Sequence, residues 1–170
     1  TGDCVGVASF TNCTFANNNG GSIYPGAAIG VRDGVDLELS NCLFENNSGS
    51  SIIYTDSEYT DSVITDCVFR NNDASGGNFN GVIFEAANSG NLNMQGCLFE
   101  NNTAVHQLLF GGFSENFTYL ISDSEFKNNT GTGMFYLLFN DDSVNIVNST
   151  ITGNSVGGID GPSSNSDSTT

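Results

Sequence analysis

A seven-residue pattern returns six times along the chain, and it leaves few folds open. In its fullest form it reads Asn41-Cys42-Leu43-Phe44-Glu45-Asn46-Asn47, with near copies centred on Phe15, Phe69 and Phe99 and looser ones on Phe126 and Ile151. Taking that aromatic or aliphatic residue as anchor, the steps are 29, 25, 30, 27 and 25 residues. Self-similarity on this scale belongs to solenoids, propellers and arrays. A propeller blade needs about 40 residues or more for its four strands. The steps here are shorter, and the chain has no Trp to supply a blade signature. A leucine-rich repeat would need a Leu/Asn consensus that the copies lack.

Within each copy, Cys or Ser and the anchor stand two apart, the period of a strand with one buried face. Three residues before the Cys or Ser comes another apolar side chain: Phe10, Leu39, Ile64, Met94, Ile121 and Ile146. The residue just before the Cys or Ser is Asn, Asp or Gly in every copy, which marks a bend. The paired Asn after the anchor marks a second bend, because Asn tolerates the left-handed region. A third apolar run follows at Ile23-Tyr24, Ile52-Ile53-Tyr54, Val82-Ile83-Phe84, Leu108-Leu109-Phe110 and 134–139. Length variation is expected after this third run. One such turn cannot bury its own apolar face, so the turns must stack. The expected fold is all-β: a right-handed parallel β-helix of about six coils, three short strands per coil, roughly 29 Å long at about 4.8 Å per coil. Residues 1–160 form one β-helix domain in this reading. Residues 161–170 form a Ser/Thr-rich tail expected to dock on a neighbouring subunit.

The spacing Phe-x-x-Asn, at Phe15/Asn18, Phe44/Asn47, Phe69/Asn72, Phe99/Asn102 and Phe126/Asn129, with Ile151/Asn154 as a degenerate sixth, resembles a known repeat. Together with Gly20-Gly21, Gly76-Gly77 and Gly157-Gly158 it is similar to the repeats of polymorphic outer-membrane proteins, within the pectin-lyase-like right-handed β-helices. The resemblance implies the fold. It does not choose among the adhesins, lyases, tailspikes and filaments built on that scaffold.

Stacking defines three interior columns. Phe15, Phe44, Phe69, Phe99, Phe126 and Ile151 are expected to pile up as the core ladder. Asn18, Asn47, Asn72, Asn102, Asn129 and Asn154 are expected to bond amide to amide at one bend. Cys13, Cys42, Cys67 and Cys97 share a register and read as small buried thiols. Disulfides between neighbouring coils fit the Cα separation but not parallel Cβ vectors, and Cys4 could pair with Cys13 at the open end. No Cys-x-x-Cys exists, so no zinc is expected, nor any other metal or cofactor. Outside the core, Glu45, Arg70, Glu100 and Lys127 alternate in sign on successive coils and should pin the register.

Charge excludes several functions. Three Lys+Arg against 19 Asp+Glu give a net charge of −16. Nucleic-acid binding rests on neutralising phosphates, so it is not expected, and no apolar run reaches the ~18 to 20 residues of a membrane span. The chain starts at Thr1 rather than Met, so an upstream segment is expected to have been removed. Catalysis also lacks parts. His106 is the one histidine, the residue type most used for proton transfer near neutrality, and it reads as a strand residue. Asp141-Asp142 resembles the paired aspartates of polygalacturonase-like hydrolases but has no Gly-His-Gly or Arg-x-Lys companion. Asp33/Asp36 and Asp56/Glu58/Asp61 match no calcium-loop pattern.

Six Asn-x-Ser/Thr sequons start at Asn12, Asn46, Asn101, Asn116, Asn128 and Asn148. Asn46, Asn101 and Asn128 are expected to be shielded beside the Asn ladder, which leaves Asn12, Asn116 and Asn148 as glycan carriers. The chain therefore reads as an extracellular or cell-surface protein, not an enzyme. It is a structural or adhesive module whose partners are copies of itself or other surface proteins, and which stacks head to tail into a filament. The alternative is a carbohydrate-binding or polysaccharide-degrading β-helix using Tyr24, Tyr54, Tyr59 and the acidic loops.

Overall fold

Every named strand pairs in parallel with a strand one coil away. The computed structural model describes residues 6–21, 26–32, 34–56, 60–76, 82–86, 90–111, 117–137, 142–157 and 159–160. Three six-stranded sheets account for nearly all of the strands. The first holds β1 (Gly6–Thr11), β4 (Val35–Ser40), β7 (Thr60–Thr65), β11 (Gly90–Gln95), β15 (Thr118–Ser122) and β18 (Ser143–Val147). The second holds β2 (Thr14–Ala16), β5 (Leu43–Glu45), β8 (Val68–Arg70), β12 (Leu98–Glu100), β16 (Glu125–Lys127) and β19 (Thr150–Thr152). The third holds β3 (Ile29–Arg32), β6 (Ser51–Asp56), β10 (Val82–Ala86), β14 (Gln107–Gly111), β17 (Gly133–Leu137) and β20 (Ile159–Asp160). A two-stranded ladder of β9 (Asp73–Ala74) and β13 (Thr103–Ala104) follows the paired Asn, and single bridges continue it at Asn19, Ser48, Thr130 and Ser155. The chain is thus a β-solenoid built on three parallel sheets.

Backbone geometry at the corners follows from residue type. The residue before each Cys or Ser has φ between 49° and 65°: Asn12, Asn41, Asp66, Gly96, Asp123 and Asn148. The first residue after the sheet-two strand repeats this at Asn17, Asn46, Asn71, Asn101, Asn128 and Gly153, with φ between 54° and 63°. Asn, Asp and Gly are the residues that visit the left-handed region at least cost. Two left-handed corners in every coil therefore bracket a strand only three residues long.

The core is a set of columns. Phe15, Phe44, Phe69, Phe99 and Phe126 stack face to face at centroid separations of 4.7, 4.7, 4.4 and 4.9 Å, their planes within 14° of parallel. Ile151 continues the register opposite Phe126 but is 48 % exposed. It ends the column at the surface rather than inside it, because no described strand covers the far side of β19. Sheet one contributes the column Phe10, Leu39, Ile64, Met94, Ile121 and Ile146, in register from coil to coil. On sheet three, Ile52-Ile53, Ile83-Phe84, Leu108-Leu109 and Met134-Phe135 are each buried at consecutive positions. Neighbouring residues of a strand point to opposite faces, so both faces of that run are covered.

Two sequence expectations are corrected here. Ile23-Tyr24 lies outside the described residues, and the sheet-three strand of its coil is Ile29–Arg32, with Ile29 opposite Ile53. Length variation also falls before the third strand. The interval is 14 residues from Phe15 to Ile29 and 15 from Phe69 to Phe84, against nine from Phe44 to Ile53. Gly20 and Gly76 stand at the start of the two longer intervals, and a Cβ on Gly20 would lie 2.7 Å from the Ala27 Cα. The base of that excursion closes only around glycine.

The thiols complete the core. Cys13, Cys42, Cys67 and Cys97 are free, the last three buried, and Cys4 lies outside the described residues. Each thiol donates to the carbonyl two residues back, as Cys67 does to Thr65 O at 3.3 Å, and Cys67 Sγ accepts the Cys42 N–H at 3.4 Å. Ser124 repeats both contacts, donating to Ser122 O at 2.8 Å and accepting the Cys97 N–H at 3.1 Å. That shared role explains why Ser replaces Cys in the last two coils. Burial pushes the Cys67 thiol up to about 11 and the Cys97 thiol up to about 12, from an ordinary value of 9.0. Burial likewise lifts Tyr119 well above its usual range.

Two measurements check this description. Asn71 is exposed with φ 54°. Asn71→Gly should stay close to wild type in urea unfolding, whereas Asn71→Val should cost about 1–2 kcal/mol for a β-branched residue held left-handed; equal stabilities would contradict the corner geometry. The thiol values set a pH dependence. Groups raised in the folded state contribute stability below pH 9.0 that is lost as pH rises toward 11 and 12, because the unfolded chain releases those protons first. Unfolding free energy should therefore fall steadily from pH 9 upward, and a flat profile would contradict buried thiols.

Candidate functional site

The most organised polar feature lies inside the solenoid. At Asn47, Asn72, Asn102 and Asn129, buried to 1 % exposure or less, each side-chain amide meets four partners. Asn72 shows the pattern. Its Nδ2 donates to Asn102 Oδ1 at 2.9 Å and to Phe44 O at 3.0 Å. Its Oδ1 accepts the Asn47 N–H at 3.0 Å and Asn47 Nδ2 at 3.0 Å. The chain of amides starts at exposed Asn18, which donates to Asn47 Oδ1 at 2.8 Å, and ends at half-buried Asn154, which accepts from Asn129 at 2.9 Å. Both donors and both lone pairs of an amide are thereby used at every interior coil. This arrangement binds the protein to itself and leaves no interior amide for a ligand.

Three aspartates are likewise bonded to a neighbouring coil. Asp36 Oδ1 accepts the Asp61 N–H at 3.0 Å, and Asp61 Oδ1 accepts the Asn91 N–H and Nδ2 at 3.2 and 2.8 Å. Asp142 Oδ1 accepts the Phe117 N–H at 2.8 Å, one coil away. Asp141, Asp33 and Glu58 lie outside the described residues, as does the side chain of Asp56. On the outer face of sheet two, Arg70 pairs with Glu45 at 2.8 Å, and Lys127 reaches Glu100 at 3.4 Å and Glu125 at 3.8 Å. These partly exposed pairs contribute about 1 kcal/mol or less each. His106 sits exposed in the bend between β13 and β14 rather than in a strand. Among the described residues, no group of three or more His, Cys, Asp or Glu side chains is placed to hold a metal ion. No helix of the described structure is long and apolar enough to cross a membrane.

The aromatic and sequon residues are spread out. The Arg32 guanidinium lies 5.9 Å from the Tyr54 ring centroid, while Tyr24 and Tyr59 fall outside the described residues. Asn12 and Asn148 are exposed at left-handed corners, and Asn116 falls outside the described residues. Asn46, Asn101 and Asn128 are exposed too, which corrects the expectation that they are shielded. In each Asn-Asn pair the left-handed first residue points out and the second enters the ladder. What sequence reading did not single out is a cleft beside the last described sheet-two strand. It has a volume of about 310 Å³ and is lined by Met134, Phe135, Ile146, Ile151, Asn154 and Val156, among others.

The comparisons agree with this architecture. The family described as right-handed beta helix region matches residues 2–169. No curated protein and no solved structure matches the chain. Parallel six-stranded sheets, an in-register aromatic column and a match spanning nearly every residue lead to one statement: the chain belongs to the right-handed β-helix family.

Proposed function

We propose that this β-helix is a non-catalytic structural or adhesive module of an extracellular or cell-surface protein, with copies of itself or other surface proteins as partners. The observation that carries the reading is where the reactive side chains go. Asp36, Asp61 and Asp142 cap backbone N–H groups of adjacent coils, and Glu45–Arg70 and Glu100–Lys127 pair along one face. A general acid or base needs a carboxyl within reach of a substrate proton, and these are held by the scaffold. A rod with a satisfied interior and an acidic exterior suits a spacer or surface element. Its charge opposes nucleic acid and anionic membrane alike. The exposed Asn46, Asn101 and Asn128 corners and the exposed Asn12 and Asn148 suit a glycosylated surface. Subunits joined end to end would extend the rod into a filament.

The second reading, a glycan-binding or glycan-cleaving β-helix, draws on half-buried Tyr54 with Arg32 beside its ring. A panel of neutral and acidic polysaccharides separates the two. Incubation with the purified protein should release no reducing ends and retain no protein on the insoluble glycans. Turnover that disappears in a folded Asp142→Asn variant would contradict the structural reading.

A further inference from the structure

The corner beside the asparagine ladder carries a residue type that the fold does not call for. In each coil the first residue after the sheet-two strand is left-handed, and the second enters the ladder. The third bridges to a neighbouring coil, at Asn19, Ser48, Asp73, Thr103, Thr130 and Ser155. Asn19 and Asp73 make that bridge without a hydroxyl, so the solenoid does not require Ser or Thr there. Yet Ser48, Thr103 and Thr130 each follow an asparagine corner and complete the sequons Asn46-Asn47-Ser48, Asn101-Asn102-Thr103 and Asn128-Asn129-Thr130. Coil geometry accounts for the paired Asn and leaves the hydroxyl unexplained.

The amide and the hydroxyl of each sequon reach solvent together, with the ladder Asn buried between them. Asn101 and Thr103 are exposed, as are Asn128 and Thr130, and Asn46 is exposed with Ser48 half-buried. Among the described residues, the side-chain amides of Asn46, Asn101 and Asn128 enter no hydrogen bond. Asn12 differs, since its Oδ1 accepts Asn41 Nδ2 at 2.6 Å. A glycosylated Asn keeps Oδ1 and one Nδ2 proton, and its added bulk lies in solvent here, so the corner tolerates the modification. The three sites stand along one edge of sheet two. The Asn101 N–H donates to Lys127 O, which sets Asn101 and Asn128 one coil apart, about 4.8 Å. Asn46 lies two coils from Asn101, with Asn71 between them.

We propose that Asn46, Asn101 and Asn128 are N-glycosylation sites, modified before their coils close. In the transfer, Asn Nδ2 attacks the anomeric carbon of a lipid-linked oligosaccharide diphosphate. The nitrogen–carbon bond forms, the bond from that carbon to the diphosphate oxygen breaks, and the lipid diphosphate leaves while one Nδ2 proton passes to solvent. A transferase must surround both the amide and the hydroxyl two residues on. In the closed coil that means lifting out Asn102, whose N–H and Nδ2 donate to Asn129 Oδ1 and whose Nδ2 also donates to Phe69 O. It also breaks the bond from the Thr103 N–H to Asn72 O at 2.8 Å. Sugar therefore comes first and the coil second. That the chain meets such a donor rests on the surface-protein reading, whereas the geometry of the corners does not.

The test directs the chain into the secretory route of a eukaryotic cell with an added signal segment. The secreted protein is checked for folding by circular dichroism and mapped by peptide mass after enzymatic glycan release, which converts each glycosylated Asn to Asp. Conversion is expected at all three corners. Thr103→Val and Thr130→Val keep the Asn and place a strand-favouring residue at an exposed bridge. Each should lower the intact mass by one glycan, lost from Asn101 and Asn128 respectively. Folded chain made without glycans and added to permeabilised microsomes should gain no sugar at these corners, while the same chain translated into microsomes should. Asn12 and Asn148 occupied with the three corners bare overturns the proposal alone, and so does transfer to the folded chain. Protein taken from its own cells with no sugar at any sequon overturns both the proposal and the glycosylated-surface reading.

Discussion

Stacked asparagine amides fix this solenoid. A parallel β-helix must hold each coil at one register against the next, and the apolar columns alone specify it only by alternation. A slip of one residue would move the Phe column to the solvent face. At Asn47, Asn72, Asn102 and Asn129 the amide leaves no such freedom, because its four hydrogen bonds exist at one offset only. The bonds to Phe15 O, Phe44 O, Phe69 O and Phe99 O tie the polar column to the backbone of the aromatic one. Each buried amide left without its partners would cost about 1–3 kcal/mol per orphaned group. The network therefore stabilises little by its mean and much by its exclusion of alternatives.

The remaining features follow from keeping that column straight. Left-handed corners on both sides of a three-residue strand set where Phe and Asn point, so Asn, Asp and Gly recur there for conformational reasons. Cys and Ser exchange freely because each gives one proton to the carbonyl two residues back and takes one backbone N–H from the preceding coil. The two longer excursions enter beside Gly20 and Gly76 without disturbing the neighbouring columns. The sequons at Asn46, Asn101 and Asn128 arise from the same grammar. The fold needs Asn-Asn at the corner, and the bridging residue after it is Ser48, Thr103 or Thr130.

Much of this was legible because the repeat writes the same physics six times. Phe-to-Phe register, the Asn column and the corner residues all follow from spacing, since period-two alternation and left-handed preference are local properties. The third strand of the first coil was not. Ile23-Tyr24 carries the hydrophobic signal, but the pairing partner of Ile53 is Ile29, and register is decided by the neighbouring coil rather than by local composition. Burial of Ile151 was misjudged because its column membership says nothing of what lies above it. The roles of Asp36, Asp61 and Asp142 were also hidden, because an aspartate that caps an N–H one coil away looks in sequence like any solvated acid.

Urea unfolding of Asn72→Leu tests the amide ladder most directly, because Leu nearly preserves the volume while removing every polar atom. The substitution strips the partners from the Asn47 N–H, from one Asn47 Nδ2 proton and from Phe44 O. The predicted result is a loss of about 3 kcal/mol or more in unfolding free energy. A variant within about 0.5 kcal/mol of wild type would show that apolar stacking holds the register without the amides.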